Sequence, residues 1–242
     1  MTGNLESVIR DLVVANRILG NEDVVDAYGH VSIRHPTNPE RYFLSCSRSP
    51  ELVERDDIIE FHLDGTPVTP QDRPFYIERF IHGATYETRP DVNAVVHSHA
   101  EDVLPFGIAP TPLQPVIHSG AFMGGEVPVW DIADNFGDTN LLVVDMAQGR
   151  DLARGLGGTA RVVLMRGHGF AAAAPSLLEV VRLSIYLPKN ARVQMKAAQL
   201  GGFKPLSQGE IANRLKQLRP SAPESYRAWE YWAHRAGCRE ML

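Results

Sequence analysis

Four residues carry the chemistry that this sequence offers: Glu78, His97, His99 and His168. His97 and His99 stand two apart in VVHSHAED, directly after the apolar run Ala94-Val95-Val96. On a strand, that spacing turns both imidazoles to the same face. His168 follows a second apolar run, Val162-Val163-Leu164-Met165, in the stretch MRGHG. Three imidazoles converging at strand ends make a site for a divalent metal, which would be the electrophile of an enzyme. Taken singly, each residue also has a plainer reading. His97 and His99 read as hydrogen-bonded sheet residues and His168 as part of a tight turn. Glu78 reads as a first-turn acid favoured by the helix macrodipole.

The surrounding elements must bring these residues together. Apolar positions at Leu5, Val8, Ile9, Leu12, Val13 and Leu19 predict an amphipathic helix over 5–20. The later half of DAYGHVSIR alternates as a strand does, with 42–44 as its hairpin partner across a turn at 35–40. A short strand is expected over 56–62, ending in an Asp64-Gly65 turn. Pro74 heads a helix expected to run to about Glu87, which places Glu78 near its start and just before strand 93–98. Leu141 to Val144 is a short apolar run, and 151–156 reads as a short helix. Strand 161–165 delivers Gly167-His168-Gly169. Ser176 caps a long helix, 177–200, which Pro188 should kink or interrupt. The tail from Pro220 is aromatic, with Tyr226, Trp229, Tyr231 and Trp232. Alternating strands and helices predict an α/β or α+β domain.

Bulk properties narrow the function. The chain has 242 residues, 44% of them hydrophobic, which suffices for a large core, and no Pro/Gly/Ser-rich linker divides it. A single domain, 1–242, is expected. The formal net charge of −5 gives no electrostatic case for binding nucleic acid or a membrane surface. Cys46 and Cys238 do not make a disulfide framework. The N-terminal stretch carries acids among its apolar residues, unlike a signal peptide, so a cytoplasmic location is expected. No Gly-rich phosphate loop follows an early strand, so no nucleotide cofactor is implied.

The segment from Glu78 to His99, completed by Gly167-His168-Gly169, resembles the class II aldolase/adducin family, and the resemblance runs from about residue 5 to 200. It implies a three-layer αβα sandwich around a central, mainly antiparallel sheet. It also implies His97, His99 and His168 as ligands of one divalent ion and Glu78 as catalytic acid/base. A homotetramer with active sites between neighbouring subunits is the expected assembly, and residues 203–242 would form a C-terminal extension at a subunit interface. Sugar-phosphate members of the family usually carry Gly-Asn in the early strand; here it is Gly29-His30. The loops that would hold phosphate here are Ser45-Cys46-Ser47-Arg48 and Arg73-Pro74-Phe75-Tyr76. Arginine and aromatic side chains suit a planar carboxylated ring better than a sugar phosphate. His118, followed by Phe122, also resembles the branch that decarboxylates hydroxylated aromatic or pyridine dicarboxylates.

The reading from sequence is therefore a metal-dependent decarboxylase acting on a small anionic aromatic substrate. Glu78, His30 and His118 are its catalytic candidates. Ser45, Ser47, Arg48, Arg73, Phe75 and Tyr186 are its substrate-binding candidates, with Arg34 as a further carboxylate clamp. Mn2+ is favoured, because chelation by two substrate oxygens needs more than four positions; Zn2+ and Fe2+ also accept imidazole. An aldolase cleaving a hydroxy-keto acid or a sugar phosphate would use much of the same equipment. A noncatalytic adducin-like module is the third reading, and the intact metal set weighs against it. His35, His62, His82 and His234 lie outside the motifs and read as structural or exposed.

Overall fold

The computed structural model describes residues 4–125, 127–217 and 223–242. Pro220, the start of the aromatic tail, lies outside them. The chain opens with helix α1 (Leu5–Asn21), followed by strands β1 (His30–Arg34), β2 (Arg41–Ser45) and β3 (Ile58–His62). Helix α2 (Phe80–Thr88) precedes β4 (Ala94–Ser98). Short helix α3 (Leu104–Ile108), β5 (Val129–Trp130), short helix α4 (Ala133–Phe136) and α5 (Met146–Leu156) come next. Strands β6 (Val162–Met165) and β7 (Gly169–Ala174) then lead into α6 (Leu177–Gln199), α7 (Gln208–Lys216) and α8 (Pro223–Arg235).

The strands form one sheet in the order β3-β2-β1-β4-β7-β6-β5. Every pairing is antiparallel except β5 with β6. Side-chain alternation splits the sheet into two cores. Ala94 and Val96 of β4 face one core together with α1, α6 and α8. Val95 faces the other, with Tyr42, Phe61, Ile81 and Leu152 from β2, β3, α2 and α5. Helices thus cover both faces of a central sheet, as the three-layer expectation requires. Burial on both faces is why 94–96 reads as a continuous apolar run rather than an alternating one.

Several boundaries differ from the sequence reading. Strand β7, GFAAAA, was not anticipated, because alanine has little strand preference of its own. It is held by β4 on one side and β6 on the other, and alternate alanines enter opposite cores. Helix α5 starts at Met146, not 151, because the Asp145 side chain caps it by accepting from Gln148 N–H. The helix expected from Pro74 begins only at Phe80, and Glu78 sits in a preceding 3-10 turn, Ile77–Arg79, at φ −86°, ψ 18°. Helix α6 runs through Pro188 without interruption, capped by Ser176 as expected. Among the described residues, no helix is long and apolar enough to cross a membrane.

The tail packs back on its own chain. Trp229, Trp232 and Cys238 enter the core shared with α1 and α6, whereas Tyr226 and Tyr231 are exposed. Cys46 and Cys238 are free thiols.

Candidate metal centre

His97 lies inside β4, paired with His30 of β1 and Ala171 of β7. His99 follows just beyond the end of β4, and His168 occupies the turn between β6 and β7. That turn depends on its two glycines. Gly167 has φ +66°, and a Cβ at Gly169 would lie 2.2 Å from the Ser98 carbonyl oxygen. The close approach of β7 to β4 is what brings His168 beside His99.

The three Nε2 atoms point at one place. His99 Nε2 is 3.0 Å from His97 Nε2 and 3.2 Å from His168 Nε2. Glu78 Oε2 is 3.3 Å from His97 Nε2 and 3.4 Å from His168 Nε2. One ligand atom from each of the four residues fits within a group spanning at most 4.8 Å. Tetrahedral coordination at a zinc–nitrogen bond of about 2.0–2.1 Å sets neighbouring nitrogens about 3.3 Å apart, close to these distances.

The outer nitrogens show why the inner ones need a cation. His97 Nδ1 donates to the Phe170 carbonyl at 3.1 Å, and His168 Nδ1 donates to the Leu141 carbonyl at 2.8 Å. His99 Nδ1 lies 3.5 Å from the Asp26 carboxylate. A carbonyl can only accept, so the Nδ1 atoms of His97 and His168 carry protons, and their Nε2 atoms are the ones available to a metal ion. A divalent ion bound by the Nε2 atoms of His97, His99 and His168, with the Glu78 carboxylate beside it, would fit between these groups. The donor set therefore fits a metal.

Asp26 is held for its task by the backbone N–H groups of Tyr28 and Gly29, at 2.8 and 3.3 Å. Replacing it with asparagine removes the negative charge behind His99. We expect metal affinity to fall about 10–100-fold, the range for an outer-shell partner of a ligating imidazole. A chelator-competition titration measures this, and unchanged affinity would show that Asp26 does not support the site.

The run 141–144 proves to be part of this centre. Leu141 adopts φ +65°, a left-handed conformation that costs a branched residue about 1–3 kcal/mol. In that conformation its carbonyl meets His168, and two residues on, Val143 N–H donates to Glu78 Oε1 at 3.0 Å. One loop thus orients both an imidazole and the carboxylate. Burial raises the Glu78 carboxyl, but the His97 and His168 imidazoles more than reverse this and hold it well below the usual carboxylate range. The raised pKa that a dry pocket alone would give is not what this site provides: Glu78 is kept ionised. Burial together with His97 and His168 takes the His99 imidazole down to about 4.

His30 adjoins the centre. Its ring centroid is 5.1 Å from that of His97 and 4.5 Å from that of Tyr76. Behind it runs a buried chain: His30 Nδ1 to His82 Nε2 at 2.6 Å, His82 Nδ1 to Ser32 Oγ at 2.6 Å, and Ser32 Oγ to Tyr86 OH at 2.7 Å. Burial, together with His97, pushes the His82 imidazole down to about 3. The sequence reading passed over His82 as a partner of His30. The signal was present: His30 and Ser32 are two apart on a strand, and His82 and Tyr86 are four apart on a helix, so each pair shares a face.

Other predicted residues have partners other than the four ligands. Arg48 and Arg73 both hold the chain's own Asp57, at 3.1 and 2.6 Å. Ser45 is buried and donates to Tyr76 OH at 3.3 Å, and Tyr76 OH in turn donates to the Arg48 carbonyl. Ser47 is exposed, and Phe75 packs edge-on against Phe61. Arg34 is not a substrate clamp: its guanidinium donates to the carbonyls of Pro39, Tyr86, Arg89 and Val92, tying β1 to the end of α2. His118 and Tyr186 line a different cavity, into which none of the four ligands projects.

A central, mainly antiparallel sheet between helical layers, with three imidazoles from the end of β4 and the β6–β7 turn and a carboxylate from the turn before α2, defines an α/β domain with a candidate metal centre. The chain belongs to the Class II Aldolase and Adducin N-terminal domain family, whose profile matches residues 10–195. It is 35% identical to the decarboxylase tropJ of Talaromyces stipitatus, across 91% of this chain and 92% of that one. It is 27% identical to a 3,4-dihydroxyphthalate decarboxylase of Arthrobacter keyseri, across 92% and 90% of the two chains. In fold it is similar to an aldolase II superfamily protein from Pseudomonas syringae, with a TM-score of 0.79 at 21% identity, covering 99% of this chain and 97% of that chain.

Proposed function

We propose that this protein is a divalent-metal-dependent decarboxylase of a hydroxylated aromatic or pyridine (di)carboxylate. The observation that carries the reading is the convergence of the His97, His99 and His168 Nε2 atoms beside the Glu78 side chain. The similarity to two proteins named as decarboxylases favours this branch over aldol cleavage. A bound ion, with Mn2+ favoured, would supply Lewis acidity towards a phenolate oxygen and the neighbouring carboxylate.

The protein's own task is to move one proton. Glu78, held as a carboxylate, accepts the proton of the substrate's ortho-hydroxyl group. It then donates that proton to the ring carbon bearing the carboxylate, giving a ketone tautomer. The carbon–carbon bond breaks as in a β-keto acid. Carbon dioxide leaves, the bonding electrons return to the phenolate oxygen, and the ring regains aromaticity. Because Glu78 is held as a carboxylate, it begins the cycle free of a proton and able to accept one. His30, ordered by the His82–Ser32–Tyr86 chain, borders the same centre and positions the ring. We further place the protein as a homotetramer in the cytoplasm, with the exposed Tyr226 and Tyr231 of α8 at a subunit boundary.

The test is carbon dioxide release by manganese-loaded protein from ortho-hydroxylated benzene and pyridine dicarboxylates, with His97→Ala protein as control. Release by the intact protein alone is the expected result. If the loaded protein releases none and instead cleaves hydroxy-keto acids or sugar phosphates, the aldolase reading replaces this one. Inactivity on both panels, with no metal retained, would favour a noncatalytic interaction module.

A further inference from the structure

The buried chain behind His30 decides which ring nitrogen of that imidazole carries the proton. His30, Ser32, His82 and Tyr86 are each at most 1% exposed, so their polar atoms must find partners within the protein. The direction of the chain follows from its far end. Among the described residues, Ser32 Oγ is the acceptor bonded by the Tyr86 hydroxyl, at 2.7 Å, so the phenol proton goes to the serine. The other partner of Ser32 Oγ is His82 Nδ1 at 2.6 Å, so the serine proton goes there. His82 Nδ1 is thus an acceptor. Burial keeps the His82 imidazole neutral, and its single proton sits on Nε2. That proton points at His30 Nδ1, 2.6 Å away. An imidazole whose Nδ1 accepts carries its proton on Nε2.

The opposite direction fails at the same end. His30 Nδ1–H would donate to His82, His82 Nδ1–H to Ser32, and the Ser32 hydroxyl to Tyr86. The Tyr86 proton would then be buried without an acceptor, which is costly. The three hydrogen bonds are made either way, so the proton left over at Tyr86 decides the tautomer, which is assigned here from the network.

His30 Nε2 is the atom left free to act. Nδ1 is turned back to His82, so Nε2 lies across the ring from it. Among the described residues no protein atom bonds to Nε2. Yet it is not one of the unpartnered side-chain atoms sealed inside the protein, which are Asn16 Oδ1, Arg182 Nε, Ser184 Oγ and Arg214 Nε. It therefore keeps an opening. The His97 ring is 5.1 Å away between centroids, and Glu78, His97 and His99 all act on His30 through their charge, so the ring borders the metal centre.

We propose that His30 binds the substrate by donating an Nε2–H hydrogen bond to a carboxylate oxygen, and that Ser32 and His82 are positioning residues that hold it in this tautomer. A neutral imidazole that donates from Nε2 has no lone pair there, so His30 is not the general base. The proposal rests on the decarboxylase reading for the identity of the bound oxygen; the tautomer stands without it.

Nitrogen NMR of 15N-histidine-labelled, full-length protein tests the tautomer, both metal-free and loaded with diamagnetic Zn2+. The His30→Gln spectrum identifies the His30 signals. A protonated-type Nε2 and an unprotonated-type Nδ1 are expected. Ser32→Ala removes the donor that keeps His82 Nδ1 an acceptor, so both His30 nitrogens should move to intermediate shifts; a merely structural serine would leave them in place. Salicylate, a hydroxylated aromatic carboxylate, tests the contact with Zn2+-loaded protein. His30→Gln keeps an N–H donor and should bind salicylate within about threefold of the unsubstituted protein, whereas His30→Leu should weaken it about tenfold or more. A proton on His30 Nδ1, or unmoved His30 shifts in Ser32→Ala, would overturn the tautomer assignment. Absence of salicylate binding, unchanged affinity in His30→Leu, or equal losses in the Gln and Leu variants would overturn the contact. Neither readout needs turnover, so a failed decarboxylase assay leaves each outcome readable.

Discussion

His97→Ala protein should lose its metal and, with it, all metal-dependent turnover. His97 is fully buried, lies at the middle of the sheet and contributes one of three converging nitrogens. Removing a ligand outright should exceed the roughly 100-fold loss expected of a supporting residue such as Asp26. The consequence reaches stability. A ligand present at 1,000 times its dissociation constant adds about 4 kcal/mol to the folded state. Metal should therefore raise the melting temperature of the unsubstituted protein and leave that of the variant unchanged. Elemental analysis after gel filtration, paired with thermal denaturation with and without chelator, measures both effects. A variant that keeps full metal occupancy and a chelator-sensitive melting temperature would show that the ligand set is misassigned.

Glu78→Gln should keep the fold while lowering kcat by about 10²–10⁴, the usual contribution of a positioned acid or base. Glutamine retains an oxygen that can accept from Val143 N–H, so the loop over 141–144 stays anchored. It cannot take a proton from a substrate hydroxyl. Measuring metal content alongside turnover separates two roles for this side chain. Metal retained with turnover lost identifies proton transfer. Metal and turnover lost together identify Glu78 chiefly as a ligand, while intact turnover on a fully loaded site would remove it from the mechanism.

The site was more legible in the sequence than the fold around it. His97 and His99 could be paired because strand periodicity alone fixes which side chains share a face. His168 could be joined to them because Gly167 and Gly169 mark a turn directly after an apolar run. Residues whose roles depend on distant partners were less legible. Nothing local shows that Arg48 and Arg73 are occupied by Asp57, or that Arg34 ties four carbonyls together. The alanine strand β7 was missed because its conformation comes from its two neighbours rather than from its own side chains.

Sequence by itself singled out Glu78, His97, His99 and His168 as one candidate site, marked 94–96 as an apolar run and, through its resemblance, pointed to the family, since these depend on residue type and short-range spacing. Tertiary structure alone decided the direction in which the Glu78 carboxyl is shifted. Burial by itself would raise its carboxyl, and only the packing of His97 and His168 against it reverses the sign. Tertiary structure also decided that His118 and Tyr186 belong with Arg182 in a second cavity, because helices α6 and α8 meet there across a stretch of chain that no local pattern spans. Charges and imidazoles act over a few ångströms of space, and the sequence records only how far apart they lie along the chain.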